Sequence, residues 1–150
     1  TLITDQKTLL RAADVIAASR RSYDEFPTAM GEALSFAADM LGQGPICDQR
    51  TVDIAGDGEN NEGDGPAAAY RQAAFGQITV NGLVVANAAD FQTEDRLTAF
   101  YANEVLHGPG AFMVVADGFE DYARAMREKL ERELAVSVVG HLSKPGKPKG

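Results

Sequence analysis

The sequence has no tryptophan, one cysteine, and only 14 lysines and arginines against 22 acids in its 150 residues. A lone Cys47 excludes an internal disulfide and a cysteine-rich metal site, and it is expected to be a small buried hydrophobe. A formal net charge of −8 argues against a nucleic-acid role, because a surface that tracks phosphates needs a basic stripe. No apolar run approaches the ~18 residues of a membrane span. No signal peptide is readable at the start, although an opening at Thr1-Leu-Ile without a methionine leaves processing or truncation open.

What is present is an ordinary globular composition, 45% hydrophobic and 24% charged, at a length that suits one domain able to bury its own core. The one basic bias is Lys144-Pro-Gly-Lys-Pro-Lys-Gly150, which reads as a flexible tail over residues 140–150.

The chain is organised around Thr51-Val-Asp-Ile-Ala-Gly-Asp-Gly-Glu-Asn-Asn-Glu-Gly-Asp-Gly65. A β-prone run, Thr51 to Ala55, stops at Asp57 between two glycines, and an acidic loop follows. In an open α/β sheet ligands bind just beyond the carboxyl ends of the strands, where side chains converge and glycines let backbone approach. Five acids and two asparagines within the thirteen residues from Asp53 to Gly65 make an oxygen-rich mouth suited to a hard cation. A solvated acidic turn is the plainer reading of the same letters. An EF-hand does not fit, because Glu62 stands where the sixth loop position needs glycine.

Around this strand the periodicity alternates between helical and extended. Thr1 to Ile3 could end a strand, and Thr4 or Asp5 caps a helix to about Ser19 with Leu9, Ala12, Ala13 and Ile16 on one face. Pro27-Thr28 opens a second helix to about Leu41, with Thr28 as its N-cap and Met30, Leu34, Ala37 and Leu41 inward. After the acidic loop come a short helix from Pro66 to about Ala74 and a strand from Gln77 to Val85. Asn81-Gly82 inside that strand is a hairpin signal, but the span is too short for two strands, so one kinked strand is expected. A helix from Asp90 or Thr93 to about Leu106 turns Leu97, Phe100, Tyr101 and Val105 inward. Gly108-Pro-Gly110 leads into a strand from Ala111 to Val115, and a last helix over about Gly118 to Leu134 carries Phe119, Tyr122, Met126 and Leu130 on one stripe. This order predicts an α/β, three-layer Rossmann-like fold with a mostly parallel sheet and helices on both faces. Two helices precede the first firm strand, so the sheet reads as lacking its opening strands.

Four segments in order carry a resemblance: Phe26-Pro-Thr-Ala-Met-Gly-Glu-Ala-Leu34, Val52-Asp-Ile-Ala-Gly-Asp-Gly-Glu-Asn-Asn61, Ile78-Thr-Val-Asn-Gly-Leu-Val84 and Gly108-Pro-Gly-Ala-Phe-Met-Val-Val115. Together with the terminal helix they resemble the von Willebrand factor A-like fold, and more narrowly an uncharacterised bacterial family of exported A-like domains. The resemblance spans Thr1 to about Val139, so residues 1–139 would be the C-terminal portion of such a domain. It implies a non-enzymatic protein–protein interaction module, periplasmic or exported, with a divalent cation at the top of the sheet. By that resemblance Thr28 and Asp57 are the metal ligands, with Glu59, Asn60 and Asn61 as accessory groups. The Asp-x-Ser-x-Ser loop that gives the family its first ligands is absent, and its strand is expected before Thr1. Mg²⁺ wants near-octahedral oxygen coordination, so the implied site is partial or vestigial and Mg²⁺ binding weak or absent. A protein partner, perhaps another chain completing the sheet, is the corresponding expectation. His107, where the family pattern suggests a small residue, is expected as a turn residue rather than a ligand.

A rival reading is an enzyme. Gly56-Asp-Gly-Glu-Asn-Asn61 also resembles the Mg²⁺-holding loop of haloacid-dehalogenase-like phosphatases, although the Asp-x-Asp nucleophile and a separate lysine loop are not recognisable and Asn61 replaces the final aspartate. A third reading is a purely structural subunit, in which this half domain fills a place in a larger assembly.

Overall fold

The computed structural model describes residues 2–20, 28–86 and 94–139. Three strands, β1 (Arg50–Gly56), β2 (Ile78–Ala86) and β3 (Met113–Asp117), form one parallel sheet in the order β1-β2-β3. β2 lies in the middle and is buried on both faces, as a parallel strand covered by helices must be, with Asn81 its one buried polar side chain. Its Asn81-Gly82 pair continues the strand without a hairpin, with Gly82 beside Ile54 of β1 and Met113 of β3.

Helices cover both faces, which makes the three layers the alternating pattern predicts. On one face α2 (Met30–Gly42), the single turn α3 (Pro66–Ala69) and α4 (Glu94–Phe100) close over the sheet. α4 runs into a π-helical turn, Tyr101–Val105, in which the Leu106 amide donates to the Tyr101 carbonyl at 2.9 Å. Met30, Leu34, Phe75, Val80, Val84, Leu97, Tyr101 and Val105 form the main core there. On the other face α5 (Tyr122–Val139) covers a smaller cluster of Leu83, Val85, Phe112, Val114, Ala116 and Ala125.

Several expectations are corrected. Residues 2–4 form no strand, and Leu2 and Ile3 are exposed. α1 (Gln6–Ala18) forms with Asp5 as its cap and a capping box to Thr8, yet none of its residues is buried. Its apolar stripe, Leu9 and Ile16 included, faces solvent. The strand expected from Ala111 begins two residues later, because the Phe112 carbonyl and amide are used by Gly82 and Asn81 before regular pairing starts. The short helix expected to about Ala74 breaks after Ala69, and a 3-10 turn over Ala73–Gln77 buries Phe75. On α5 the inward residues are Tyr122, Ala125, Met126, Lys129 and Glu133, while Phe119 is 63% and Leu130 45% exposed. Cys47 is exposed, not buried. The expected helix starts at Asp90 or Thr93 and the 140–150 tail lie outside the described residues.

Among the described residues β1 pairs with β2 alone, so its other edge carries unpaired amides and carbonyls. It has no proline, and its only charged residues are Arg50 and Asp53. Edge strands ordinarily carry some device against pairing. No helix among the described residues is long and apolar enough to cross a membrane.

Candidate functional site

β1 delivers Asp57 to the carboxyl end of the sheet, beside the start of α2. Thr28 and Asp57, 29 positions apart, line the same open groove of about 330 Å³, together with Gly56, Gly58 and the first turn of α2. The groove follows the free side of β1 and also reaches Asp53, Ile54 and Ala55.

The acidic loop serves α2 in a way no local pattern signals. The helix N-cap is Ala29, not Thr28, and no side chain at that position makes a cap bond. The first amides are capped instead from the loop: Met30 N donates to Asn60 Oδ1 at 2.6 Å, and Thr28 N to Asn61 Oδ1 at 2.7 Å. In return Asn61 N and Glu62 N donate to the Thr28 carbonyl at 3.0 and 3.1 Å. Helix amides left without a partner are costly, so this reciprocal set fixes the loop on the helix start. It also frees Thr28 from the capping role. The same seam has a tight packing point: a Cβ on Gly31 would lie 2.2 Å from the Asp64 carbonyl oxygen and 2.8 Å from that of Gly65. Glu59 is held by Arg96 of α4 through two bonds of 2.8 and 2.9 Å. Of the five residues singled out from sequence, Thr28 and Asp57 thus line one groove, Asn60 and Asn61 cap the helix, and Glu59 is paired with Arg96.

One hydroxyl and one carboxylate fall short of the six oxygens Mg²⁺ demands. Among the described residues no group of three His, Cys, Asp or Glu side chains could hold a metal. The described residues therefore do not by themselves form a metal site.

A buried phenol lies just behind the groove. The Tyr101 ring is fully buried, and a Cβ on Gly82 would strike it at 2.9 Å. A Cβ on Gly56 would lie 2.8 Å from its hydroxyl, so the two glycines on adjacent strands make room for the ring and its oxygen. That hydroxyl has no hydrogen-bond partner among the described residues. A buried polar group left unpaired costs about 1–3 kcal/mol. Burial, with the nearby charge of Asp57, pushes the phenol up to about 12. Burial also pushes the Tyr70 phenol well up, but its hydroxyl donates to the Val105 carbonyl and so is not left unpaired. His107, expected in a turn, instead bridges its backbone to Val80 just ahead of the turn, stacks on Tyr70 at 4.3 Å and sets its Nε2 3.0 Å from the Phe75 carbonyl.

A second polar cluster, unseen in sequence, lies under α5. Lys129 is fully buried, ion-paired to Asp53 of β1 and, at 2.8 Å, to Glu133. Glu133 also accepts from Asn81 Nδ2 at 2.7 Å, and Asn81 Oδ1 accepts from Phe112 N at 3.1 Å. Desolvation raises the Asp53 carboxyl despite Lys129. At Glu133 desolvation acts in the same direction, but hydrogen bonds from Lys129 and Asn81 outweigh it and leave the carboxyl below its usual range. This cluster borders a second groove of about 480 Å³ at the opposite end of the strands, which Asn81, Phe112 and Leu134 help to line. The only sequence signal for it is the pair of polar letters at Asp53 and Asn81 inside otherwise apolar strands.

The model of the family described as "Protein of unknown function (DUF1194)" matches residues 1–138. No curated protein and no solved structure matches the chain.

Proposed function

The chain belongs to the DUF1194 family, and from that premise we propose that it is a non-enzymatic protein–protein interaction module of the von Willebrand factor A type. In this reading Asp57 and Thr28 supply part of a divalent-metal site at the rim of the sheet. The remaining ligands come from a partner, and the free edge of β1 is where a partner's strand would add. When bound, the cation would supply a Lewis-acidic bridge to a partner's carboxylate. Asn60 and Asn61 hold the loop that presents Asp57, and Arg96 keeps Glu59 to one side.

The observation that carries this reading is the convergence of Thr28 and Asp57 on one groove beside an unpaired strand edge. The open edge of β1 and the exposed apolar stripe of α1 support a role as a subunit, since an unpaired strand edge is a template for another chain. Calorimetric titration with Mg²⁺ or Mn²⁺ tests the cation. Weak binding lost in Asp57→Ala is expected, and no heat in either protein removes the metal from the reading. Size-exclusion mass tests the assembly: a well-folded monomer that binds nothing argues against the subunit.

A further inference from the structure

We propose that the β1 side of the molecule is a self-association surface, on which a second copy of this chain lays its own β1 antiparallel to the first and continues the sheet. The inference rests on the open-edge part of the reading above, not on the cation, and it names the partner as this chain itself.

The outer edge of β1 presents amides and carbonyls that no strand among the described residues pairs. Such edges are ordinarily guarded by proline, lysine or a bulge. β1 has neither proline nor lysine, runs in unbroken register with β2, and carries its one acid, Asp53, ion-paired to Lys129. Both helical layers also expose apolar side chains on this side. Ala33 of α2 lines the groove along β1, and Phe36 and Met40, three and seven residues further on, prolong that stripe and are exposed. In the other layer Leu134 of α5 lines the second groove with Arg50 and Thr51 of β1, and Leu130, one turn earlier, is exposed as well.

A lone strand from another protein would satisfy the edge and leave both helical strips in water. A second copy related by a two-fold axis meets all three layers at once, since such an interface sets each patch against itself: β1 on β1, α2 on α2 and α5 on α5. Specific interfaces bury about 1,200–2,000 Å² in total, and the two apolar strips add area that a single strand pair lacks. Two identical edges closed by this axis run antiparallel, with directly opposite residues on one face of the sheet. A register centred on Asp53 would set two carboxylates opposite one another. A register centred on Val52 instead sets Thr51 opposite Asp53 of the second copy, where the threonine hydroxyl can donate to the carboxylate. Thr51 and Asp53 share one face of β1 and are both exposed.

The test reads the mass of the full chain by sedimentation equilibrium over a range of concentrations, with circular dichroism confirming that each variant keeps its fold. The unaltered chain should be a dimer. Phe36→Glu should abolish the dimer, and Met40→Glu, one turn on, should repeat that result. Thr51→Glu places an acid opposite Asp53 twice in the symmetric pair and should weaken dimerisation about 10-fold, whereas Thr51→Lys should keep or tighten it. A dimer that none of these substitutions weakens overturns the proposal, as does a loss in Thr51→Lys as large as that in Thr51→Glu. A monomer at every concentration overturns the self-association but not the module reading, which fails only when that monomer also binds no other protein.

Discussion

On the face of the sheet under α2, α3 and α4, side chains from four segments interlock in an apolar layer, and Leu34, Val80, Tyr101 and Val105 are all fully buried. On the face under α5 the apolar cluster is small, and the helix continues inward with Lys129 and Glu133 rather than with leucine. One face is held by area removed from water, the other by a few charged hydrogen bonds that must all be satisfied together. The first kind of contact tolerates change by degrees, while the second fails when one member is lost.

The contrast can be broken at either face. Leu34→Ala on the apolar side removes a fully buried side chain and should cost about 3–4 kcal/mol in chemical denaturation. Loss below about 1 kcal/mol would mean that the layer closes over the gap. Lys129→Ala on the polar side should cost about 3 kcal/mol at neutral pH, less than a deeply enclosed triad would, because Asp53 is 38% exposed and can take up water. The pH dependence sharpens this. Without Lys129 both carboxyls are pushed above their unfolded values, and such a group stabilises the fold when protonated and destabilises it when ionised. The deficit of Lys129→Ala should therefore shrink as pH falls from 7 toward 4.5, and a deficit that grows would show that the cluster is not the cause. The smallest effect is expected at Asp121, where bonds from Arg124 and the Asp117 amide hold the carboxyl down at about 2. Its contribution is complete above the ordinary value of 3.8 and lost as pH falls through about 2, so Asp121→Asn should flatten that acid limb of stability slightly.

The same contrast marks what could be read in the letters. Apolar periodicity located β1 and β2 to within a residue or so and turned Leu97, Tyr101 and Val105 inward correctly, because those positions answer to a single buried layer. On α5 it turned Tyr122 and Met126 inward, as found, but misjudged Phe119 and Leu130, which are exposed. The helix is turned so that small Ala125 meets the sheet and Lys129 reaches the Asp53 carboxylate on β1, a demand set 76 positions earlier in sequence (129 − 53). Thr28 and Asp57 were named together only by the A-like resemblance; both line one groove, and their role as ligands is a proposal. The capping of α2 by Asn60 and Asn61 was not, since cap rules look at neighbouring residues and these donors and acceptors are about thirty positions apart. Asn81-Gly82 carries a hairpin signal that the short span overrode, as the single strand bears out, but the use of Gly82 beneath the Tyr101 ring was not legible.

The Gly31 contact has a consequence for how this lineage can drift. Any side chain at 31 and the present path of Asp64-Gly65 exclude one another, since even a methyl group would sit inside the Asp64 carbonyl. Substitution at the first helical turn is thus tied to rerouting of a segment thirty-odd residues downstream. Relatives that carry alanine there should betray it by an altered length or composition between their counterparts of Asn61 and Pro66.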